Sequence, residues 1–411
     1  MTIDAGIDDL NLYGATLAVD ATEIAAARGT PERDIRRLKL LRRSLAPAFE
    51  DPVTLAVNAA RPLVADAAGP GAFELLLVAT ESGVDYGKPL SSYVHKYLGL
   101  PQRCRNVEVK HACYAGTAAL QMATAWVRSG AARGKKALVV MTDMARRLFG
   151  DPAEPAEGAA AVALTVAASP RVLALEPRSG YASREVYDVT RPTPTLERAN
   201  AGLSLGAYLD LLEAVWAQYR EGLGDGATLE GHFQRLAYHT PIVPLVEKAH
   251  RILVESERED ATAEEIAASF ERLVAPSLRH CREVGNIYSG SLYAALAGHL
   301  SAPAPALAPG ARIGLYSYGS GSCAELFGGL VGEAAREVVA ARRIGERLAE
   351  RRPASFAEYE ACVVENERAQ TLADYEPDRD APRGLYEAAY RGRDLLVLES
   401  VRDHYRSYVW S

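Results

Sequence analysis

The run Lys110-His111-Ala112-Cys113-Tyr114-Ala115-Gly116-Thr117-Ala118-Ala119-Leu120 decides how the whole chain reads. Residues 107–109 just before it form a short apolar strand candidate, and residues 116–129 after its start are Ala-rich and helical in spacing. A cysteine between a strand and a helix meets unpaired backbone N–H groups and the positive end of the helix dipole. That setting lowers a thiol pKa from ~8.5 toward neutrality and supplies a thiolate nucleophile. The small residues Ala115, Gly116, Ala118 and Ala119 let the helix pack deep between sheets. Taken alone, the same position also fits a buried structural cysteine, which is the reading for Cys104, Cys281, Cys323 and Cys362.

Working outward, residues 73–79 and 136–141 are short apolar runs of the kind that form buried parallel strands, and residues 159–167 add another. Residues 12–19 read as an opening strand followed by a helical stretch at 21–27. Residues 51–67 have helical spacing interrupted by Pro62. Strands alternating with helices predict an α/β layered fold with a mostly parallel sheet. Beyond residue 170 the pattern changes: 171–197 reads as irregular and 203–219 as a helix, with strands at 233–238 and 312–318. Thr262 and Glu265 form a capping-box pattern opening a helix to about residue 275, and 292–300 is helical. From Arg342 on, the chain is charged and Tyr-rich and reads as surface helices and hairpins.

The 411 residues suit two packed halves rather than one ordinary core. A net charge of -7 argues against nucleic acid as a general partner, which needs an excess of Lys and Arg. Local basic clusters remain at Arg103, Arg105 and Lys110, at Lys135 and Lys136, and at Arg146 and Arg147. Five cysteines without paired spacing fit a reducing compartment, and no His pair has metal-ligand spacing. With no leader-like start and no apolar run of ~20 residues, the expectation is a soluble, cytoplasmic chain without a membrane partner.

Reactive groups in open α/β sheets gather where strands end. Glu81 follows the strand at 73–79; a carboxylate held near a low-dielectric strand has a raised pKa suited to proton transfer, although a capping or ion-paired Glu fits as well. His239 ends a strand, where a neutral imidazole donates to a developing oxyanion or is satisfied within the core. Asn286, in Gly285-Asn286-Ile287-Tyr288-Ser289, either caps a turn or orients a carbonyl. The Gly319-Ser320-Gly321-Ser322 turn offers backbone N–H donors or is simply a turn.

Together these segments resemble the signatures of 3-hydroxy-3-methylglutaryl-CoA synthases. The matching blocks are Thr80-Glu81-Ser82, the Cys113 run, Tyr238-His239-Thr240-Pro241, Gly285 to Tyr293 and Leu315 to Ser322, with a likeness that continues to Val401-Arg402-Asp403-His404-Tyr405. The resemblance implies a thiolase-like α/β fold of two duplicated halves in a five-layer αβαβα arrangement, as a homodimer. It places Glu81 and Cys113 in residues 1–169, and His239 and Asn286 in residues 170–411, with a C-terminal extension. It implies Cys113 as acyl carrier and Glu81 as general acid/base. His239, Asn286 and Tyr288 then meet the acceptor, and the Ser320 and Cys113 N–H groups form an oxyanion hole.

In the primary-metabolism enzymes the histidine opens a stretch whose lysine helps hold CoA; here Pro244 stands at that position, removing a cationic contact to phosphate. The Glu81 and Cys113 segments are also similar to polyketide β-branching synthases. These use acyl groups on the phosphopantetheine of donor and acceptor acyl carrier proteins, with no other cofactor. Carrier proteins are acidic, so a basic cluster is a candidate docking face. Alternatives are an acetyl-CoA-using primary enzyme and a decarboxylating ketoacyl synthase, which makes its carbanion without a base and so has no use for Glu81. A non-catalytic carrier-binding subunit has no need of a nucleophile.

Overall fold

The computed structural model describes residues 3–145, 149–193, 196–224, 226–303 and 307–411. Arg146 and Arg147 of the third basic cluster lie outside the described residues. Nine strands form the main sheet: β1 (Ala5–Tyr13), β2 (Phe73–Ala79), β3 (Arg105–Val109), β4 (Lys136–Met144), β5 (Ala159–Ala168), β6 (Leu173–Ser183), β7 (Arg235–Tyr238), β8 (Arg312–Gly319) and β9 (Cys323–Val331). Their spatial order is β7-β8-β9-β6-β1-β5-β4-β2-β3.

The order is one pattern used twice and joined edge to edge, with five strands in the first half and four in the second among the described residues. From β1, the pairings run antiparallel to β5, antiparallel to β4, then parallel to β2 and β3. From β6 they run antiparallel to β9, antiparallel to β8, then parallel to β7. Within the sheet, the described residues join the copies at Gly6–Ala174 and Ile7–Leu173. Duplication is therefore present in the topology even though no residue repeat is visible in the sequence.

Strand alternation sorts the core into layers. In β4, Ala137, Val139 and Met141 face one apolar cluster while Leu138 and Val140 face another, as a side-chain period of two requires. The first cluster holds two central helices, α2 (Ala115–Arg128) and α5 (Gly290–Leu300), together with inward residues of both half-sheets. The outer face of the first half-sheet is covered by α1 (Pro52–Asp66). That of the second is covered by α3 (Ala201–Glu221) and α4 (Val243–Glu257). Helix, sheet, helices, sheet, helix gives the five layers expected.

Several expectations need correction. The sheet is mixed rather than mostly parallel: among the described residues five of its eight neighbouring pairings are antiparallel, since β5 and β9 return directly beside β4 and β8 without a crossover helix. The irregular reading of 171–197 missed β6, a strand of eleven residues in mid-sheet. Pro177 and Gly180 disguise it. The β6–β9 register shifts between Phe327 and Gly329, where Pro177 lies opposite, so the missing N–H falls at a bulge. A Cβ at Gly180 would stand 2.1 Å from the Val215 carbonyl of α3, so the bare backbone lets that helix pack closely. The opening strand proves to be two, Ala5–Tyr13 and Leu17–Asp20. Pro62 sits inside α1 without ending it, and the helix is opened by an Asp51–Thr54 capping box.

The C-terminal stretch is not all surface. The hairpin of Leu396–Arg402 and Tyr405–Trp410 buries Leu396, Leu398, Val401 and Tyr408 over α1. The Tyr408 hydroxyl donates to Asp51 at 2.7 Å.

Candidate active site

Each expected residue sits at an element end, for a local reason. Glu81 follows β2 and Asp143 lies near the end of the neighbouring parallel strand β4. Asp143 Oδ1 accepts from the Glu81 N–H at 2.8 Å and the Ser82 N–H at 3.1 Å. It also accepts from the Thr80 hydroxyl at 3.1 Å and the Ser82 hydroxyl at 3.0 Å. One carboxylate oxygen thus folds the Thr80-Glu81-Ser82 turn.

Cys113 lies after β3 and two residues ahead of α2, on a turn in which Ala112 takes a positive φ of 40°. Its Sγ lies 3.7 Å from Glu81 Oε1, with the thiol donating. Gly319 ends β8 against the same turn: a Cβ there would stand 2.5 Å from the Tyr114 nitrogen and 2.8 Å from the His111 carbonyl oxygen. Only a glycine lets Ser320 approach the Cys113 loop in this way.

The Tyr238–Tyr316 pairing of β7 with β8 sets His239 level with Ser317, two residues before Gly319. The His239 backbone is fastened by its N–H to the Tyr316 carbonyl (2.7 Å) and by its carbonyl to the Tyr208 hydroxyl (2.8 Å). Its Nδ1 is buried without a hydrogen-bond partner among the described residues. Asn286 is stitched to the segment after the Pro155 turn: its N–H donates to Ala156 (2.7 Å), and its carbonyl accepts from Gly158 (2.8 Å). Its Nδ2 donates to Glu157 at 3.2 Å, and its Oδ1 accepts from the Tyr288 N–H at 3.1 Å. Asn286 is therefore a structural tie through both its backbone and its side chain. Tyr288 has a positive φ of 48° and donates its hydroxyl to Glu197 at 2.7 Å.

Electrostatics follow from burial. Glu81 is pushed up to about 8, first by desolvation and then by Asp143, the direction its sequence position suggested. Asp143 itself is pushed up to about 7 by burial. His239 is pushed down to about 3 by burial, so its imidazole is neutral at physiological pH. The expectation for Cys113 is reversed: its thiol is held well above the ordinary range by desolvation and by the charges of Glu81, Asp143, Glu197 and Glu157. The helix dipole does not lower it, because Cys113 precedes the helix and four carboxyl groups act on it electrostatically. The Cys113 side chain therefore rests as a thiol.

The sequence reading did not single out Asp143, Glu157, Arg191 or Glu197. Asp143 had a usable signal, the polar end of an apolar strand. The other three had none, since they come together only through the tertiary fold.

A thiol in contact with a carboxyl group at neighbouring strand ends, in an α/β fold of two half-sheets, fits an acyltransferase of thiolase-like fold. Two family models match it: "Hydroxymethylglutaryl-coenzyme A synthase N terminal" over residues 2–170 and "Hydroxymethylglutaryl-coenzyme A synthase C terminal" over residues 253–408. The chain belongs to the hydroxymethylglutaryl-CoA synthase family, whose members condense two acyl units through a carbon–carbon bond. It is 36% identical to the polyketide biosynthesis 3-hydroxy-3-methylglutaryl-ACP synthase PksG of Bacillus subtilis, covering 99% of each chain. It is 33% identical to a hydroxymethylglutaryl-CoA synthase of Enterococcus faecalis, covering 91% of this chain and 95% of that one. Among solved structures, the curacin-pathway HMG synthase in complex with holo donor-ACP superposes with a TM-score of 0.94 at 35% identity, over 99% of this chain and 100% of that one.

Proposed function

We propose that the enzyme builds a β-branch on a polyketide, working as a cytoplasmic homodimer. An acetyl or propionyl group arrives on the phosphopantetheine of a donor acyl carrier protein, and an acceptor carrier protein brings a β-ketoacyl chain. The observation that carries this reading is the 3.7 Å contact between Cys113 Sγ and Glu81 Oε1. An acyl group on that sulfur has its α-carbon beside the carboxyl group that must take its proton.

The Cys113 sulfur attacks the donor thioester as its proton leaves, forming acyl-Cys113 and freeing the carrier thiol. Glu81 then removes an α-proton, and the enol carbon bonds to the acceptor's β-carbonyl carbon. The new alkoxide, met by His239, Asn286 and Tyr288, takes up a proton. Water finally cleaves the bond to Cys113, giving a carboxylate and the free thiol. The Cys113 and Ser320 N–H groups hold the thioester oxyanions. A division at residues 169/170 gives Glu81 and Cys113 to one half, and His239 and Asn286 to the other half with its C-terminal extension.

Preference for a carrier protein over free CoA is supported by the likeness to PksG and the donor-ACP-bound curacin enzyme. It is also supported by Pro244, which occupies the first turn of α4, where a missing N–H costs nothing. Of the basic clusters offered for docking, the one at Lys135 and Lys136 is the weaker, because Lys136 is tied to Asp8 at 2.6 Å.

Intact-mass measurement after mixing with acetyl-loaded carrier protein or with acetyl-CoA tests the reading. An acetyl adduct on Cys113 from the carrier alone supports it. Efficient acetylation by free acetyl-CoA returns the chain to primary metabolism, and no adduct from either removes Cys113 from its role.

A further inference from the structure

Between β6 and α3 the chain carries an arginine that the reaction scheme leaves unused. The Arg191 side chain is 13% exposed and pairs with Glu197, 3% exposed, at 3.4 Å. Its Nη1 donates to the main-chain carbonyl of Glu81 at 2.8 Å. Its guanidinium carbon lies 5.7 Å from the centre of the Tyr288 ring. Tyr288 in turn donates its hydroxyl to the same Glu197 at 2.7 Å.

The geometry has two consequences. Glu81 is gripped at both ends of its peptide, its N–H by Asp143 and its carbonyl by Arg191. The grip also crosses between the halves, because Arg191, from residues 170–411, holds the Glu81 carbonyl while its partner Glu197 holds the hydroxyl of Tyr288, just ahead of the central helix α5. The charges facing Glu81 are Asp143, Arg191 and Glu197, with the Cys113 thiol in contact; Glu157 adds to those facing Cys113. Among them Arg191 is the cation, and it favours the ionised forms of both Glu81 and Asp143.

We propose that Arg191 is a positioning residue for the proton-transfer step, holding the Glu81 backbone and, through Glu197, the Tyr288 hydroxyl in one frame across the two halves. The proposal deepens the reading of Glu81 as acid/base and rests on it. A flexible carboxyl group misplaced by about 1 Å costs about 100-fold in rate, so fastening its backbone matters as much as its charge.

The test compares Arg191→Gln, Arg191→Lys and Glu81→Ala on the full chain. Readouts are acetylation of Cys113 by mass, condensation rate against pH, and Tm. Arg191→Gln is expected to keep Cys113 acetylation while condensation falls at least about tenfold. Its rising pH limb should move up by about one unit, as loss of a nearby cation requires. Arg191→Lys should bring the limb back, because the charge returns, but not the full rate, because one ammonium does not reproduce the two-point fork.

Gln with the wild-type limb and rate overturns the proposal, as does Lys with the wild-type rate. If Gln lowers Tm so far that the chain does not fold, Lys decides alone: a lowered rate at an unmoved limb supports the proposal and an unchanged rate overturns it. Glu81→Ala separates the two levels. Condensation surviving in Glu81→Ala sinks the reading of Glu81, whereas its loss beside wild-type behaviour of the Arg191 variants sinks only the role of Arg191.

Discussion

The Cys113 thiol donates to the Glu81 carboxyl group across 3.7 Å, so the proposed nucleophile and the proposed acid/base touch before any substrate is bound. Burial and neighbouring carboxyl groups disfavour the thiolate and the carboxylate alike. The pair therefore rests neutral, and charge develops only as a thioester enters and bonds form. Donors aimed at that charge, held in a site with little water, are worth more than they would be in solvent.

Replacing Glu81 with Ala should leave acetylation of Cys113 intact and lower condensation by about 10²–10⁴-fold, the usual contribution of a positioned acid/base. Intact mass reports the first step and product formation the second. Loss of both steps together would assign Glu81 to activating the thiol instead.

Because Glu81 is pushed up to about 8 and must be ionised to take the α-proton, the condensation rate should climb as pH rises from 6 through about 8. His239, pushed down to about 3, adds no limb between pH 5 and 8. A rate profile flat across 6 to 9 would be incompatible with this assignment.

The same shift has a consequence for stability. In the folded chain Glu81 binds its proton up to about 8, against an ordinary 4.5. The folded state therefore holds more protons than the unfolded one between these values, and stability falls as pH rises through that window. Glu81→Gln, which cannot ionise, should be more stable than wild type at pH 8 by on the order of 2–4 kcal/mol, with the gain gone below about pH 4.5. Thermal unfolding at the two pH values checks the sign.

Asp143→Ala removes the acceptor of four donors that shape the Thr80-Glu81-Ser82 turn. A loss of about 2–4 kcal/mol in stability is expected, with condensation falling as the turn loosens. Asp143→Asn keeps one acceptor oxygen and should be milder in both. Equal effects of the two changes would point to charge rather than hydrogen bonding.

Gly319→Ala places a methyl group 2.5 Å from the Tyr114 nitrogen, closer than atoms can approach, so the Cys113 turn must shift. Acetylation of Cys113 should slow by tenfold or more while distant packing holds, read from single-turnover acylation together with Tm. Wild-type acylation would show that the turn does not depend on this approach.

Much of the fold was legible because strands buried on both faces advertise themselves as apolar runs, whether parallel to their neighbours as in β2 or antiparallel to both as in β5. The run at 73–79 coincides with β2, and 136–141 and 159–167 lie inside β4 and β5. The capping box at Thr262 opens a helix at Ala263 as its spacing requires. What escaped was β6, whose Pro177 and Gly180 answer to a bulge and to the approach of α3 rather than to strand propensity. The C-terminal hairpin was expected, but its burial escaped. Its charged and Tyr-rich composition looks like surface, yet Tyr408 and Arg406 are both spent on Asp51 at the start of α1.

By itself the sequence determined the alternation of strands and helices and the positions of Glu81, Cys113, His239 and Asn286 at element ends. Those features depend on near neighbours along the chain: hydrophobic period, turn residues and small side chains. Tertiary structure alone decided the protonation of the site. The Cys113 thiol is raised rather than lowered because Glu81, Asp143, Glu157 and Glu197 converge on it from separate segments. Likewise Arg191 meets Glu81 from 110 residues away. Desolvation and Coulomb interactions depend on distance in space, and a residue's own stretch of sequence does not contain that distance.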